Sequence, residues 1–301
     1  MALLLVVVAT AVGGCGRAGG GAGPPGIGGS TSVGGDGGAA TGGAGGGEGT
    51  LALLVDHDQS SNNVEPGFPP SYSDALFEVD LTVDRIPYET IAVPPGGGAP
   101  PPAFGQLARY TALLWYTADG TSELFSSTEQ AEVERWLDLG HKTLIIFSEN
   151  LLSDIGAGGA WTAPTDDTFL TAYLGAAGWA ADGDADVAGA GAVSLKNRLY
   201  TVDGASGTPL AGMHFEVFDD TPIESTADLV NPGAATVVLA TVDADPADEG
   251  SNAATPIVVA HTVGTSTVIY VGMPVENVDG APGNTSAELV HGILQFAGLV
   301  P

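Results

Sequence analysis

Three short stretches of this sequence place polar, chemically capable side chains directly after apolar runs. Asp56, His57 and Asp58 follow residues 51–55, Thr117 and Asp119 follow residues 111–116, and Ser148, Glu149 and Asn150 follow residues 143–147. In an open α/β sheet, ligands gather outside the carboxyl ends of the strands. Asp56, Asp58, Thr117, Asp119, Ser148 and Glu149 are therefore the candidate ligand pocket. The same residue types also cap helices and bind loop amides, and this structural role stays open beside the first. Serine hydrolysis at Ser148 would need a histidine base, for which His214 and His261 are available. Phe147 and Glu149 flank Ser148 in place of the small residues of a nucleophile elbow, and a neighbouring carboxylate opposes a developing oxyanion. No catalytic residue is assigned on this reading.

A fourth constellation concerns metal. Asp182, Asp184 and Asp186 alternate with Gly183 and Ala185, the spacing that opens a calcium loop. The full helix–loop–helix pattern then calls for Gly and Glu where Val187 and Val193 stand. Two readings follow: a loose Ca²⁺ site completed by outside ligands, or a plain acidic turn. Asp243, Asp245, Asp248 and Glu249 form a comparable run. No cofactor is expected beyond that Ca²⁺ alternative.

The elements that must position these residues are legible in part. Residues 51–55, 88–93, 111–116 and 143–147 read as strands. Residues 94–102 are a proline-glycine loop. Residues 71–79 suit a short helix. Ser126 with Glu129, or Ser127 with Gln130, fits a capping box, and Val133, Trp136 and Leu137 then follow at helical spacing. Thr168 to Leu174 suits a helical turn or two. Thr285 and Glu288 open a last helix with Leu289, Ile293 and Phe296 as its buried stripe. Short β-like runs appear at 235–240, 257–263 and 268–271. Strands alternating with helices imply an α/β fold with a mainly parallel sheet, more β-rich in its C-terminal part.

The segments Leu54 to Asp58, Leu113 to Thr117, Ser127 to Gln130 with Trp136 to Asp138, Phe147 with Ser148, and Phe169 to Gly175 occur in an order that resembles a domain accompanying secreted bacterial metallopeptidases of the immune inhibitor type. That resemblance covers roughly residues 51–299. It implies the class I glutamine amidotransferase-like fold, a flavodoxin-like three-layer sandwich, more firmly than an activity. The amidotransferases carry a cysteine in a glycine-flanked elbow and later a His-x-Glu pair. Here Ser148 stands near the first position, and Met273, Pro274, Val275 and Glu276 stand near the second without a histidine. Separately, Asp56-x-Asp58 after an apolar strand resembles the first motif of haloacid dehalogenase-like phosphatases. That resemblance implies Asp56 as nucleophile, Asp58 as acid/base and Mg²⁺ on the phosphate, with Thr117, Lys142 and Asp219-Asp220 in the remaining roles. Gln59 and Ser60 stand where that motif has Gly and Thr.

The N-terminal region addresses location. Residues 3–12 are an apolar run, too short to span a bilayer and of the length of a signal-peptide core. It leads into Val12, Gly13, Gly14 and Cys15, which resembles the bacterial lipobox, and Cys15 is the one cysteine of the chain. The expected organisation is a lipoprotein signal over residues 1–14, a Gly-rich tether over 15–49, and one amidotransferase-like domain over 50–301. Lipidation of Cys15 would anchor the chain to a membrane, exported to the bacterial cell envelope at the outer membrane or cell surface. With 7 Lys and Arg against 36 Asp and Glu, and a formal charge of −29, nucleic acid is excluded as a partner. A protein or glycan partner is the expectation, with hydrolysis at Ser148 or Mg²⁺-dependent phosphatase chemistry at Asp56 and Asp58 as the alternative.

Overall fold

The computed structural model describes residues 51–57, 72–93, 102–117, 124–155, 168–182, 199–218, 228–242, 254–273, 275–279 and 284–301. All of them fall in one compact unit, Glu48–Pro301. Cys15 and the tether lie outside the described residues.

The apolar runs become strands β1 (Ala52–Asp56), β2 (Tyr88–Ala92), β3 (Ala112–Tyr116) and β4 (Thr143–Phe147). All of β3 and β4 is buried, as a parallel strand covered on both faces requires. Helices α1 (Tyr72–Val83), α2 (Phe104–Leu107), α3 (Ser127–Leu137), α4 (Leu151–Ile155) and α5 (Ser286–Phe296) follow in order along the chain. Helix α1 runs to Val83, past the expected end at residue 79. Ser126, not Ser127, caps α3, and its box with Glu129 closes in both directions. Thr285 and Glu288 do the same for α5.

The C-terminal half supplies β5 (Ala176–Asp182), β6 (Leu199–Gly204), β7 (His214–Phe218), β8 (Asp228–Pro232), β9 (Val237–Val242), β10 (Thr255–Val263), β11 (Ser266–Val271) and β12 (Val278–Asp279). Ten strands form one sheet in the order β12-β7-β6-β9-β10-β11-β4-β3-β1-β2, and β5 pairs with β8 apart from it. Strands β2, β1, β3, β4 and β11 are mutually parallel. That block has the doubly wound, flavodoxin-like order. The remaining ladders of the large sheet are antiparallel, which accounts for the β-rich C-terminal half. The expected α/β sandwich is thus observed.

Side-chain alternation along each strand divides the core between the two faces. Leu54, Leu114, Tyr116, Ile145 and Phe147 pack with Phe77 and Leu81 of α1 and Ile293 of α5. Leu53, Val55, Trp115, Leu144 and Ile146 pack on the other face with Val133, Trp136 and Leu137 of α3. The expected helical stretch near residue 170 is a π-helix, Phe169–Tyr173, which adds Phe169 and Leu170 to that second face. Among the described residues no helix is long and apolar enough to cross a membrane.

Candidate functional site

The strand order of the parallel block reverses between β1 and β3, and this switch point is where an open sheet leaves a crevice. Three backbone bonds carry the ladders one residue past the strand ends. His57 N–H donates to Tyr116 O (2.8 Å), Thr117 N–H to Phe147 O (3.1 Å) and Ser148 N–H to Val271 O (3.1 Å). His57, Thr117 and Ser148 therefore stand level at the carboxyl edge.

These side chains are buried, with exposures of 2% for His57, 0% for Thr117, 2% for Ser148, 2% for Glu149 and 4% for Asn150. Thr117 Oγ1–H donates to Ser148 Oγ at 2.6 Å. His57 Nε2 lies 4.0 Å from Glu129 Oε1, while Glu129 Oε2 accepts the Ser126 N–H at 2.7 Å. The capping carboxylate of α3 thus also faces the histidine at the switch point. The His57 ring leans toward Trp115, with centroids 6.0 Å apart.

Behind Ser148 a second polar group closes the edge. The fully buried carboxylate of Asp228 accepts the Leu152 N–H (2.6 Å), so a residue from β8 caps the first turn of α4. The Tyr270 hydroxyl lies 2.7 Å from Asp228 Oδ2 and 2.9 Å from Ser148 O, its two acceptors. Complete burial pushes the Tyr270 hydroxyl well above the usual phenol range, and the charges of Asp228 and Glu149 add to it. Tyr270 therefore stays protonated and serves as a donor.

The structure brings Thr117, Ser148 and Glu149 together at the edge where Asp56 ends β1. Asp58, Asp119, Asp184 and Asp186 lie outside the described residues. Asp182 closes β5 opposite Asp228. Among the described residues no group of three His, Cys, Asp or Glu side chains is arranged to hold a metal ion. The sequence points to Glu129 only as a capping residue, and to Asp228 and Tyr270 not at all. Glu129 had the signal of its capping box, but nothing local marks Asp228 or Tyr270.

Neither expected base reaches Ser148. His261 is paired with Val268, which is level with Leu144 on β4. It therefore stands four residues short of Ser148, roughly 13 Å along the sheet. It contacts Thr236 Oγ1 at 3.4 Å instead, and burial lowers its pKa. His214 begins β7, five strand positions from β4, roughly 24 Å across the sheet. Its Nδ1 lies 2.6 Å from Asp203 Oδ1. Lys142 is also displaced from its phosphatase role. It precedes β4, at the edge opposite Asp56, and its Nζ–H donates to Tyr110 O at 2.6 Å. Burial lowers its pKa.

No protein-family model matches the chain, and no curated protein matches it. Solved structures do. A ThuA-like protein from Parabacteroides merdae superposes with a TM-score of 0.50 at 13% identity, over 84% of this chain and 92% of that one. The fold is class I glutamine amidotransferase-like. A second ThuA-like protein, from Bacteroides uniformis, is similar with a TM-score of 0.47 at 12% identity, over 83% of this chain and 93% of that one. The β-galactosidase from Rahnella sp. R3 gives 0.49 at 13% identity, over 84% of this chain but 32% of that enzyme. The chain spans about a third of that enzyme's length. At the carboxyl edge of β4 the chain holds Ser148, buried and bonded to Thr117.

Proposed function

We propose that this chain is an exported lipoprotein, anchored through Cys15, whose amidotransferase-like domain binds a protein or glycan partner and does not turn it over. The observation that carries the non-catalytic part is the Thr117–Ser148 hydroxyl pair. Catalysis by serine needs a base within about 3.2 Å of the hydroxyl. Here the Ser148 hydroxyl is a buried acceptor for Thr117, and His214 and His261 are held on other strands by other partners. The carboxyl edge of β1, β3 and β4 is the surface assigned to the partner, because it surrounds the switch point.

Ser148→Ala is expected to cost about 1 kcal/mol, the net value of one hydrogen bond, and to change no turnover. The purified domain, Ser148→Ala and Asp56→Asn would be screened together against ester, amide and phosphate substrates. Loss of an ester or amide hydrolysis on Ser148→Ala with the fold intact would establish a serine hydrolase. Magnesium-dependent phosphatase activity lost on Asp56→Asn would establish phosphoryl transfer. Either result ends the binding-only reading.

Anchoring is tested separately. Labelled palmitate is expected to enter the wild-type chain in a bacterial host and to be absent from Cys15→Ser. Equal labelling of the two removes the surface assignment.

A further inference from the structure

Away from the switch point, three titratable side chains meet where the crossover helix α1 packs beside the C-terminal helix α5. Asp80 lies in α1 and is 5% exposed. Its Oδ2 is buried and, among the described residues, has no hydrogen-bond partner. One turn on, Asp84 presents both carboxylate oxygens to His291 Nδ1 of α5, at 2.9 and 3.0 Å. Asp84 is mostly buried and His291 half-exposed.

We propose that Asp80, Asp84 and His291 form a proton-operated clasp that holds α1 to α5 in acid and loosens as the pH rises. With a proton on Asp80, its buried carboxyl is neutral and Asp84 alone faces His291. With that proton gone, a second carboxylate stands buried close to Asp84, with no hydrogen-bond partner for its Oδ2 among the described residues. A buried charge without partners is expensive, and like charges raise the cost.

The groups that act electrostatically on Asp80 are Asp84, directly after α1, and His291 on α5. Glu78 of α1 accepts a hydrogen bond from Thr90 of β2 at 3.3 Å instead. Arg85, in the turn after α1, is exposed. Burial first, and Asp84 second, raise the Asp80 pKa from 3.8 to about 6, against a smaller lowering by His291. A carboxyl raised by folding adds stability that is complete below its unfolded pKa and is lost as the pH rises through about 6. The window is therefore pH 4 to 6 for Asp80, and the clasp is open above it.

Amide hydrogen exchange along α1 in the full chain tests this at pH 5 and pH 8, after correction for intrinsic rates. A shift of about two pKa units sets an upper bound of about a hundredfold on the change in opening equilibrium. Between pH 5 and pH 8 the same shift corresponds to about tenfold faster opening of α1 at pH 8, with the strands β3 and β4 unchanged. Asp80→Asn should keep α1 equally protected at both pH values. Asp84→Asn, which removes the like charge that raises Asp80, should move the transition downward in pH. Equal protection of wild-type α1 at both pH values overturns the proposal, as does a pH dependence that survives Asp80→Asn. Should Asp80→Asn fail to fold, the wild-type profile and Asp84→Asn decide the matter.

Discussion

Asp228→Ala is expected to destabilise the domain by about 3 kcal/mol, with the loss focused on α4 and the strand ends beside it. The Asp228 carboxylate is fully buried and caps α4 from across the fold through the Leu152 N–H. Its removal leaves that N–H in a dry site, at a cost of about 1–3 kcal/mol for an orphaned buried donor. A lost helix cap by itself costs about 1 kcal/mol. The Tyr270 hydroxyl also loses Asp228, but it keeps Ser148 O within 2.9 Å, so it is re-satisfied and adds little. Asp228→Asn retains an amide oxygen for Leu152 and should cost about 1 kcal/mol. Urea denaturation of wild type, Asp228→Ala and Asp228→Asn measures the difference. If the alanine variant loses less than the asparagine variant, the carboxylate is a burden on the fold and not its anchor.

Gly204→Ala should be at least as damaging, by a different mechanism. Gly204 ends β6, where its N–H donates to Met213 O at 3.0 Å. A Cβ there would stand 1.8 Å from the Leu210 carbonyl oxygen. The obstacle is backbone, which no rotamer change can move aside, so overpacking of about 3 kcal/mol or more is expected. Gly207 in the same turn is the control. Its φ is +82°, but a Cβ would meet nothing within 4 Å. Gly207→Ala therefore incurs only the left-handed backbone penalty of about 1–2 kcal/mol. Thermal unfolding of the pair separates the two causes. Equal losses would show that the turn relaxes away from Leu210.

The first half of the fold was legible because its signals are local. A parallel strand buried on both faces is an unbroken apolar run, so β1, β3 and β4 stand out as Leu53 to Val55, Leu113 to Trp115 and Leu144 to Phe147. The capping boxes of α3 and α5 close within four residues, so the sequence alone names the pair of α5 and narrows that of α3 to two. The polar residues directly after apolar runs do lie at the carboxyl edge, since a strand's end is also a local fact. Strands β5 to β8 carry no such run, and β9 lies two residues beyond its expected run at 235–240, because antiparallel strands with one wetter face alternate weakly. Val237, for example, begins β9 half-exposed while Leu239 and Ala240 are buried.

What the sequence by itself determined was therefore the main elements of the first half and the last helix, their order, and the chemistry offered at the ends of β1, β3 and β4. Only the tertiary structure decided which of those groups meet. Strand pairing set His261 four residues short of Ser148 and placed Lys142 at the far edge. It also brought Asp228, 76 positions away in the chain, onto the amide of Leu152. The physical reason is that hydrogen-bond ladders fix relative position in steps of about 3.3 Å along a strand and 4.8 Å across strands. A register is settled by burying whole faces together, a sum over many residues that no single motif records.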